Sequence, residues 1–190
     1  MIISNSLKWT SHINKAVGKA NSTLGFLRRN LRQCPTTLKL TAYQSLVRPL
    51  LEYSCAIWDP YLQKDTVALE KTQRRAARFI CSDYRRDSSV TSMLDGLGLV
   101  PLADRRREQR LVLFFKIIKG LVAIPVEQHL EQNKSTRLRT ANSQTFRQQR
   151  TNTELFRHSF FQRTTKDWNL LPDNTVCADT VESFKQRLKN

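Results

Sequence analysis

From Ile13 onward the apolar side chains recur at the spacing of an α-helix: Ile13, Ala16, Val17, Ala20, Leu24, Leu27 and Leu31 stand at i, +3, +4, +7, +11, +14 and +18. A face that long must be buried against other helices, because no partner strand is signalled downstream for the β-favouring pair Ile2-Ile3. Ser11 is a plausible N-cap, Gly18 and Gly25 each weaken the helix by about 1 kcal/mol relative to alanine, and Arg28, Arg29 and Arg32 complement its dipole before Pro35 ends it. A second helix capped by Thr36 or Thr37 carries Leu38, Ala42, Tyr43, Leu46, Val47, Leu50 and Leu51, with a kink or break expected at Pro49. The two helices flanking Pro35 are expected to form an antiparallel hairpin. The stretch from Leu50 to Trp58 is apolar nearly all round and is expected to be the most buried.

The helical pattern continues. LEKTQRRAARFI, from Leu69 to Ile80, is a helix with two faces: Lys71, Arg74, Arg75 and Arg78 fall at i, i+3, i+4 and i+7, and Leu69, Ala76 and Ile80 lie opposite, with Thr72 and Gln73 between. Ser88 or Ser89 caps a short helix through Val90, Met93 and Leu94, closed by Gly96 and Gly98. Pro101 opens a long helix in which Leu111, Phe114, Ile117, Ile118 and Leu121 form the core side and Gly120 marks the end. Its Arg105-Arg106-Arg107 cluster reads as structural: Asp104 and Glu108 lie three residues from Arg107 and Arg105, and Arg107 points to the apolar side. From Gln132 to Thr153, Lys134, Arg137, Arg139, Arg147 and Arg150 appear among Ser, Thr, Asn and Gln without an acid, which describes a mobile basic loop. Aromatic residues return over 154–171, and Asp179 with Glu182 resembles a capping box for a last helix through Val181, Phe184 and Leu188. The expectation is an all-α helical bundle beginning with a helix hairpin: a domain over 1–130, a basic loop over 131–153, and a C-terminal helical appendage over 154–190 packed on the first domain.

Charge narrows the function. The chain of 190 residues carries a formal charge of +16 and a pI near 10.3, spread along its length rather than held in a tail. That favours nucleic acid, an anionic membrane or an acidic protein over a neutral small-molecule substrate. Arginine exceeds lysine, 20 to 12, and guanidinium forks engage two phosphate oxygens at once. The row Lys71, Arg74, Arg75 and Arg78 suits a row of phosphates, although a solvated surface helix would carry the same stripe. Lys134, Arg137, Arg139, Arg147 and Arg150 are the second set of candidate contacts. Tyr84 and Phe146 are the aromatics beside basic clusters that could stack on single-stranded bases.

Catalytic patterns are missing. Cys34, Cys55, Cys81 and Cys177 never approach closer than 21 residues, so no zinc or redox motif is seeded, and reduced thiols are expected. His12, His129 and His158 have no ligand or triad spacing, and no GxxxxGK[ST], GxGxxG or GxSxG occurs. Asp59 with Asp65 and Asp83 with Asp87 are the nearest carboxylate pairs, and both fall in turns where Asp is common. No catalytic residue, metal site or cofactor is therefore expected. No apolar run nears the roughly 20 residues a bilayer span needs, so an intracellular, soluble protein is expected without membrane partners; the compartment and oligomeric state stay open.

Taken in order, ISNSLKWTSHINKAVGKANSTLGFLRRNL, YQSLVRPLLEYSCAIWDPY, QRRAARFI, LGLVPLADRRREQRLVLFFKIIKGL, SFFQRTTKDWNLLP and VESFKQRL resemble the region C-terminal to the polymerase palm in reverse transcriptases of non-LTR retrotransposons, jockey-like and other LINE-type elements above all. The resemblance implies a strand and turn leaving the palm, then thumb and post-thumb helices gripping template and primer. The paired aspartates of the palm, the fingers, the endonuclease and the zinc knuckle of some relatives have no counterpart in this sequence. It implies a remnant of an RNA-directed DNA polymerase without the polymerase activity, with RNA or an RNA/DNA hybrid and a missing palm domain as partners. The alternative is a structural or protein-interaction remnant with no nucleic-acid binding of its own.

Overall fold

Helix α1 spans Thr10–Asn30 and buries Ile13, Ala16, Ala20, Leu24 and Leu27, the row set by its 3.6-residue period. The computed structural model describes residues 2, 8–133 and 142–189, and over these it is all-helical apart from one isolated antiparallel bridge between Gln132 and Phe146. Among the described residues no helix is long and apolar enough to cross a membrane. The chain divides into two compact units, Met1–Arg106 and Arg107–Asn190. The division lies inside a helix, Leu102–Ile118, and not near residue 130, where the composition changes.

In the first unit, α2 (Thr36–Ala42), a π-helical turn (Tyr43–Val47) and α3 (Arg48–Glu52) run on from one another and pack back on α1 as the expected hairpin. The wide turn is the local answer to Pro49. Arg48 N–H reaches Tyr43 C=O across five residues, so Pro49 enters in the first turn of α3, where its missing N–H leaves no bond unmade. Ser54 then takes a left-handed conformation, φ 53°, before α4 (Cys55–Trp58). This stretch is not buried all round as expected. Leu51, Cys55 and Trp58 are buried but Tyr53 is 76% exposed and Ile57 54%, because the break at Ser54 leaves one face outward. Burial pushes the Cys55 thiol up to about 12, with Asp59 adding to the effect.

Helix α5 (Gln63–Ile80) lies against α1, and α6 (Val90–Gly96) follows with Ser89 as its N-cap, its Oγ accepting from Ser92 N–H at 3.3 Å. The core joins Ile13, Leu24, Tyr43, Val47, Leu51, Trp58, Leu69, Ala76, Phe79 and Leu102. Gln73, placed at the edge of the basic face from sequence, is fully buried. It accepts from Tyr43 OH at 2.9 Å and donates to Val100 C=O at 2.9 Å, satisfying both ends of its amide.

Helix α7 (Leu102–Ile118) carries the arginine run, and its ion pairs are structural but not local. Arg105 meets Glu52, and Arg106 meets Asp59 at 2.9 Å. Arg107 stands 3.6 Å from Asp167, which Arg110 also engages. Spacing along one helix shows only neighbours on that helix, and the partners come from elsewhere in the chain. The inward residues are also not the expected Arg107: Arg106 and Arg110 are buried, while the Arg107 side chain is 49% exposed. At the start of α7, Glu70 of α5 accepts from Ala103 N–H at 3.0 Å; burial raises its carboxyl above the ordinary range, and this bond opposes the rise.

The second unit contains α8 (Glu154–Arg157), α9 (Phe160–Trp168), α10 (Asp173–Val176) and α11 (Val181–Arg187). Its core gathers Leu111, Phe114, Phe115, Phe146, Trp168, Val176 and Phe184. Phe115 and Phe184 stack at 4.4 Å, and Leu121, expected inside, is 61% exposed beyond the left-handed Gly120 that ends α7. The last helix is capped by Thr180, whose Oγ1 accepts from Ser183 N–H at 3.1 Å, rather than by Asp179. At the first two helices the caps also shift: Trp9 precedes α1 and Pro35 precedes α2.

The segment expected to be a mobile basic loop divides. Lys134, Arg137 and Arg139 lie outside the described residues. Residues 142–147 are fastened to the core: Asn142 donates from Nδ2 to Trp168 C=O at 3.0 Å and Leu171 C=O at 2.9 Å, and Asn169 holds the Phe146 backbone through its amide on both sides, at 3.0 and 2.7 Å. Asparagine amides mimic a neighbouring strand here, so a polar sequence is ordered by hydrogen bonds rather than by apolar periodicity. Phe146 is 4% exposed against Phe114 and offers no ring to a base.

Candidate nucleic-acid interface

The stripe on α5 is where the periodicity put it. Leu69, Thr72, Gln73, Ala76, Ala77, Phe79 and Ile80 are buried, while Lys71, Arg74 and Arg75 are exposed and Arg78 is partly so. Among the described residues none of the four cations pairs with a carboxylate. Two are held by neutral acceptors: Arg75 Nη1 donates to Asn21 Oδ1 at 3.2 Å, and Arg78 Nη1 to Arg85 C=O at 2.7 Å. A neutral acceptor fixes the direction of a guanidinium without cancelling its charge. Arg75 so connects the stripe to α1, and Arg78 connects it to the loop after α5.

Helices α1 and α5 lie side by side and point the same way. Thr10 Oγ1 donates to Asp65 Oδ2 at 2.8 Å near their starts, Asn21 meets Arg75 further along, and both helices end at a shared cleft of about 760 Å³. Arg28 and Arg29 come to this cleft from α1, Arg32 from the turn after it, Lys39 from α2, and Phe79, Ser82 and Tyr84 from α5 and the loop after it. Lys39 is 3% exposed. Its Nζ donates to Ser82 Oγ at 2.6 Å and stands 5.5 Å from the centre of the Phe79 ring, and among the described residues no carboxylate pairs with it. The Arg28 guanidinium lies 5.2 Å over the ring of Tyr84, which stays 53% exposed.

Ser82 is built for this role. Among the described residues three helices end in the same pair of bonds, in which the N–H two past the cap reaches back five residues and its predecessor reaches back three. They are Asp83 to Arg78 with Ser82 to Phe79, Leu99 to Leu94 with Gly98 to Asp95, and Leu121 to Lys116 with Gly120 to Ile117. The left-handed residue is glycine at positions 98 and 120, with φ 62° and 68°, but serine at 82, with φ 54°. A side chain there costs roughly 1–2 kcal/mol of backbone strain. The hydroxyl that accepts from Lys39 is what the glycine alternative would lack.

The loop after Ser82 is tied by its own acid. Asp83 accepts from the backbone and guanidinium of Arg85 and from Ser88 Oγ, and those bonds hold its carboxyl well below the ordinary range. Arg85 is thus neutralised locally. Two more of the carboxylates weighed as metal ligands are engaged, Asp59 with Arg106 and Asp65 with Thr10. Among the described residues no group of three His, Cys, Asp or Glu is placed to hold a metal ion.

In the second unit, Arg147 and Arg150 are exposed, and Arg147 pairs with Glu131 at 3.3 Å with both side chains well solvated. Such a pair contributes little to stability. A smaller cleft of about 290 Å³ there is lined by Arg157, His158, Arg163 and Lys166, but Asp167 also lines it and Glu154 pairs with both Arg157 and His158.

Sequence reasoning assigned Arg28, Arg29 and Arg32 to the helix dipole and passed over Lys39. A signal was present: residues 1–51 hold eight lysines and arginines and no acid. Comparison with family models, with curated proteins and with solved structures returned no match.

Proposed function

We propose that the protein is a non-catalytic remnant of a retroelement RNA-directed DNA polymerase that binds the backbone of RNA or an RNA/DNA hybrid through the basic surface of its first unit. The observation that carries this reading is the α5 stripe: four cations on one outward face, none paired with a carboxylate among the described residues, two of them oriented by neutral acceptors. Charge in that condition is available to phosphates, and each phosphate neutralised releases counterions. The face reads no bases, so binding is sequence-tolerant. The resemblance of the sequence, stretch by stretch and in order, to LINE-type reverse transcriptases supports the same reading.

Replacing Arg74, Arg75 and Arg78 together by Gln is expected to weaken binding to all RNA sequences alike. The slope of log affinity against log salt should fall by roughly 0.7–0.9 for each arginine that meets a phosphate. Lys71→Gln with Arg74→Gln is the cleaner double variant, because neither side chain has a hydrogen-bond partner inside the described protein. Unchanged affinity and slope in both variants would move the conclusion to a structural or protein-interaction remnant without nucleic-acid binding. Exposed Tyr53 and Ile57 are the observation that favours that second reading, since apolar side chains so close in sequence suit a protein partner.

A further inference from the structure

We propose that the cleft at the ends of α1 and α5 is a site for a terminal phosphate group, the group carried by a free nucleotide or by the phosphorylated end of a strand. Lys39, Arg28, Arg29 and Arg32 are its recognising cations. The proposal deepens the backbone-binding reading and rests on it for the strand.

The charge count separates this ligand from an internal phosphate. Four cations line one concave site, and among the described residues no carboxylate lines it. The C-terminal ends of α1 and α5 offset about half a charge each, which leaves most of the positive charge uncompensated. An internal diester brings one negative charge, whereas a terminal monoester brings nearly two and a polyphosphate more. The exposed stripe on α5, open and linear, suits successive diesters; the concave cleft suits a group that ends.

Burial points the same way. An ammonium withdrawn from water is costly unless paired, and Lys39 has a hydroxyl and a ring where a buried lysine ordinarily has a carboxylate. The hydroxyl is supplied by a residue in a strained conformation. An arrangement that keeps a buried cation short of negative charge, beside three arginines, is that of a site completed by an anion. The smaller cleft of the second unit lacks this property, because Asp167 lines it.

The test compares two RNA 12-mers of one sequence, labelled at the 3′ end and differing only in a 5′-phosphate or 5′-hydroxyl, and adds ATP as the free-nucleotide arm. The phosphorylated strand is expected to bind about tenfold tighter, the worth of one or two charge-assisted hydrogen bonds, and ATP is expected to abolish the difference. Lys39→Met and Arg32→Gln should each remove the preference, with a much smaller loss of affinity for the 5′-hydroxyl strand than for the phosphorylated one. Lys39→Met should keep or raise Tm, since it replaces a poorly paired buried ammonium by an apolar chain of similar length. If it fails to fold, exposed Arg32→Gln decides the matter alone. Equal affinity for both ends, with binding intact, overturns the cleft and leaves the backbone reading standing. Loss of both strands, with ATP still raising Tm through Lys39, overturns the backbone reading and sustains the site for the free nucleotide. No response to either strand or to ATP overturns both.

Discussion

A single residue, Ser82, shows how this protein sets local strain against a contact. The bonds around Gly98 and Gly120 are those around Ser82, so the three positions form an internal control for the cost of a side chain in the left-handed region. A Cβ at Gly98 or Gly120 would meet nothing within 4 Å, so an alanine there tests backbone conformation alone. Gly98→Ala and Gly120→Ala are each expected to destabilise by about 1–2 kcal/mol in urea titrations. Ser82→Gly should be close to neutral, because relief of strain is offset by the loss of a hydroxyl partner worth about 1 kcal/mol. Ser82→Ala, which keeps the strain and loses the hydroxyl, should fall below Ser82→Gly by about 1–2 kcal/mol. Equal stabilities for the two would show that no strain is stored at Ser82. None of this was legible beforehand, since no pattern in the sequence marks a serine for φ near +54°.

At the scale of elements, apolar period predicted what apolar contact decides. The faces of α1 and α5, the hairpin and the short helix capped by Ser89 follow from which residues are greasy and how they are spaced. The failures are polar. Spacing on α7 points Arg107 inward and gives Arg106 no partner, yet Arg106 is 1% exposed and joined at 2.9 Å to Asp59, 47 residues away. Asn142 falls in the expected loop and Asn169 in the aromatic stretch after it, and together they stitch residues 142–147 to the end of α9. Side-chain hydrogen bonds between distant residues leave no period, which is why a tethered segment read as a mobile one. The Arg106–Asp59 pair makes a quantitative expectation. Asp59→Ala leaves a buried guanidinium without its carboxylate and should cost about 3–5 kcal/mol, whereas Asp59→Leu with Arg106→Met should cost much less than the single change. A double variant as unstable as Asp59→Ala would mean that the pair specifies the packing around it rather than merely neutralising itself.

For the whole molecule the governing number is the formal charge of +16, with 32 lysines and arginines against 16 acids. Several of those acids are already committed: Glu52, Asp59, Asp83 and Asp167 each face an arginine within the protein. The cations on α5 and around the cleft are therefore surplus, and like charges held on a folded surface repel one another more than they do in an extended chain. Salt screens that repulsion over about 10 Å at 0.1 M, so Tm should rise as sodium chloride increases from low concentration toward about 0.5 M. Net charge was plain from composition, but where it is unbalanced was not, because balance depends on pairs made by the fold. This gives the stripe a measurable signature without any ligand. Arg74, Arg75 and Arg78 replaced by Gln lower the formal charge by three, so the variant should start at a higher Tm in low salt and show a shallower rise. The lost bonds to Asn21 and to Arg85 C=O act against that gain, and Lys71→Gln with Arg74→Gln, which loses neither, should show it more cleanly. Were the double variant to melt at or below the parent in low salt, the stripe would be compensated by charges elsewhere on the protein. Its cations would then hold no surplus charge for a phosphate to neutralise.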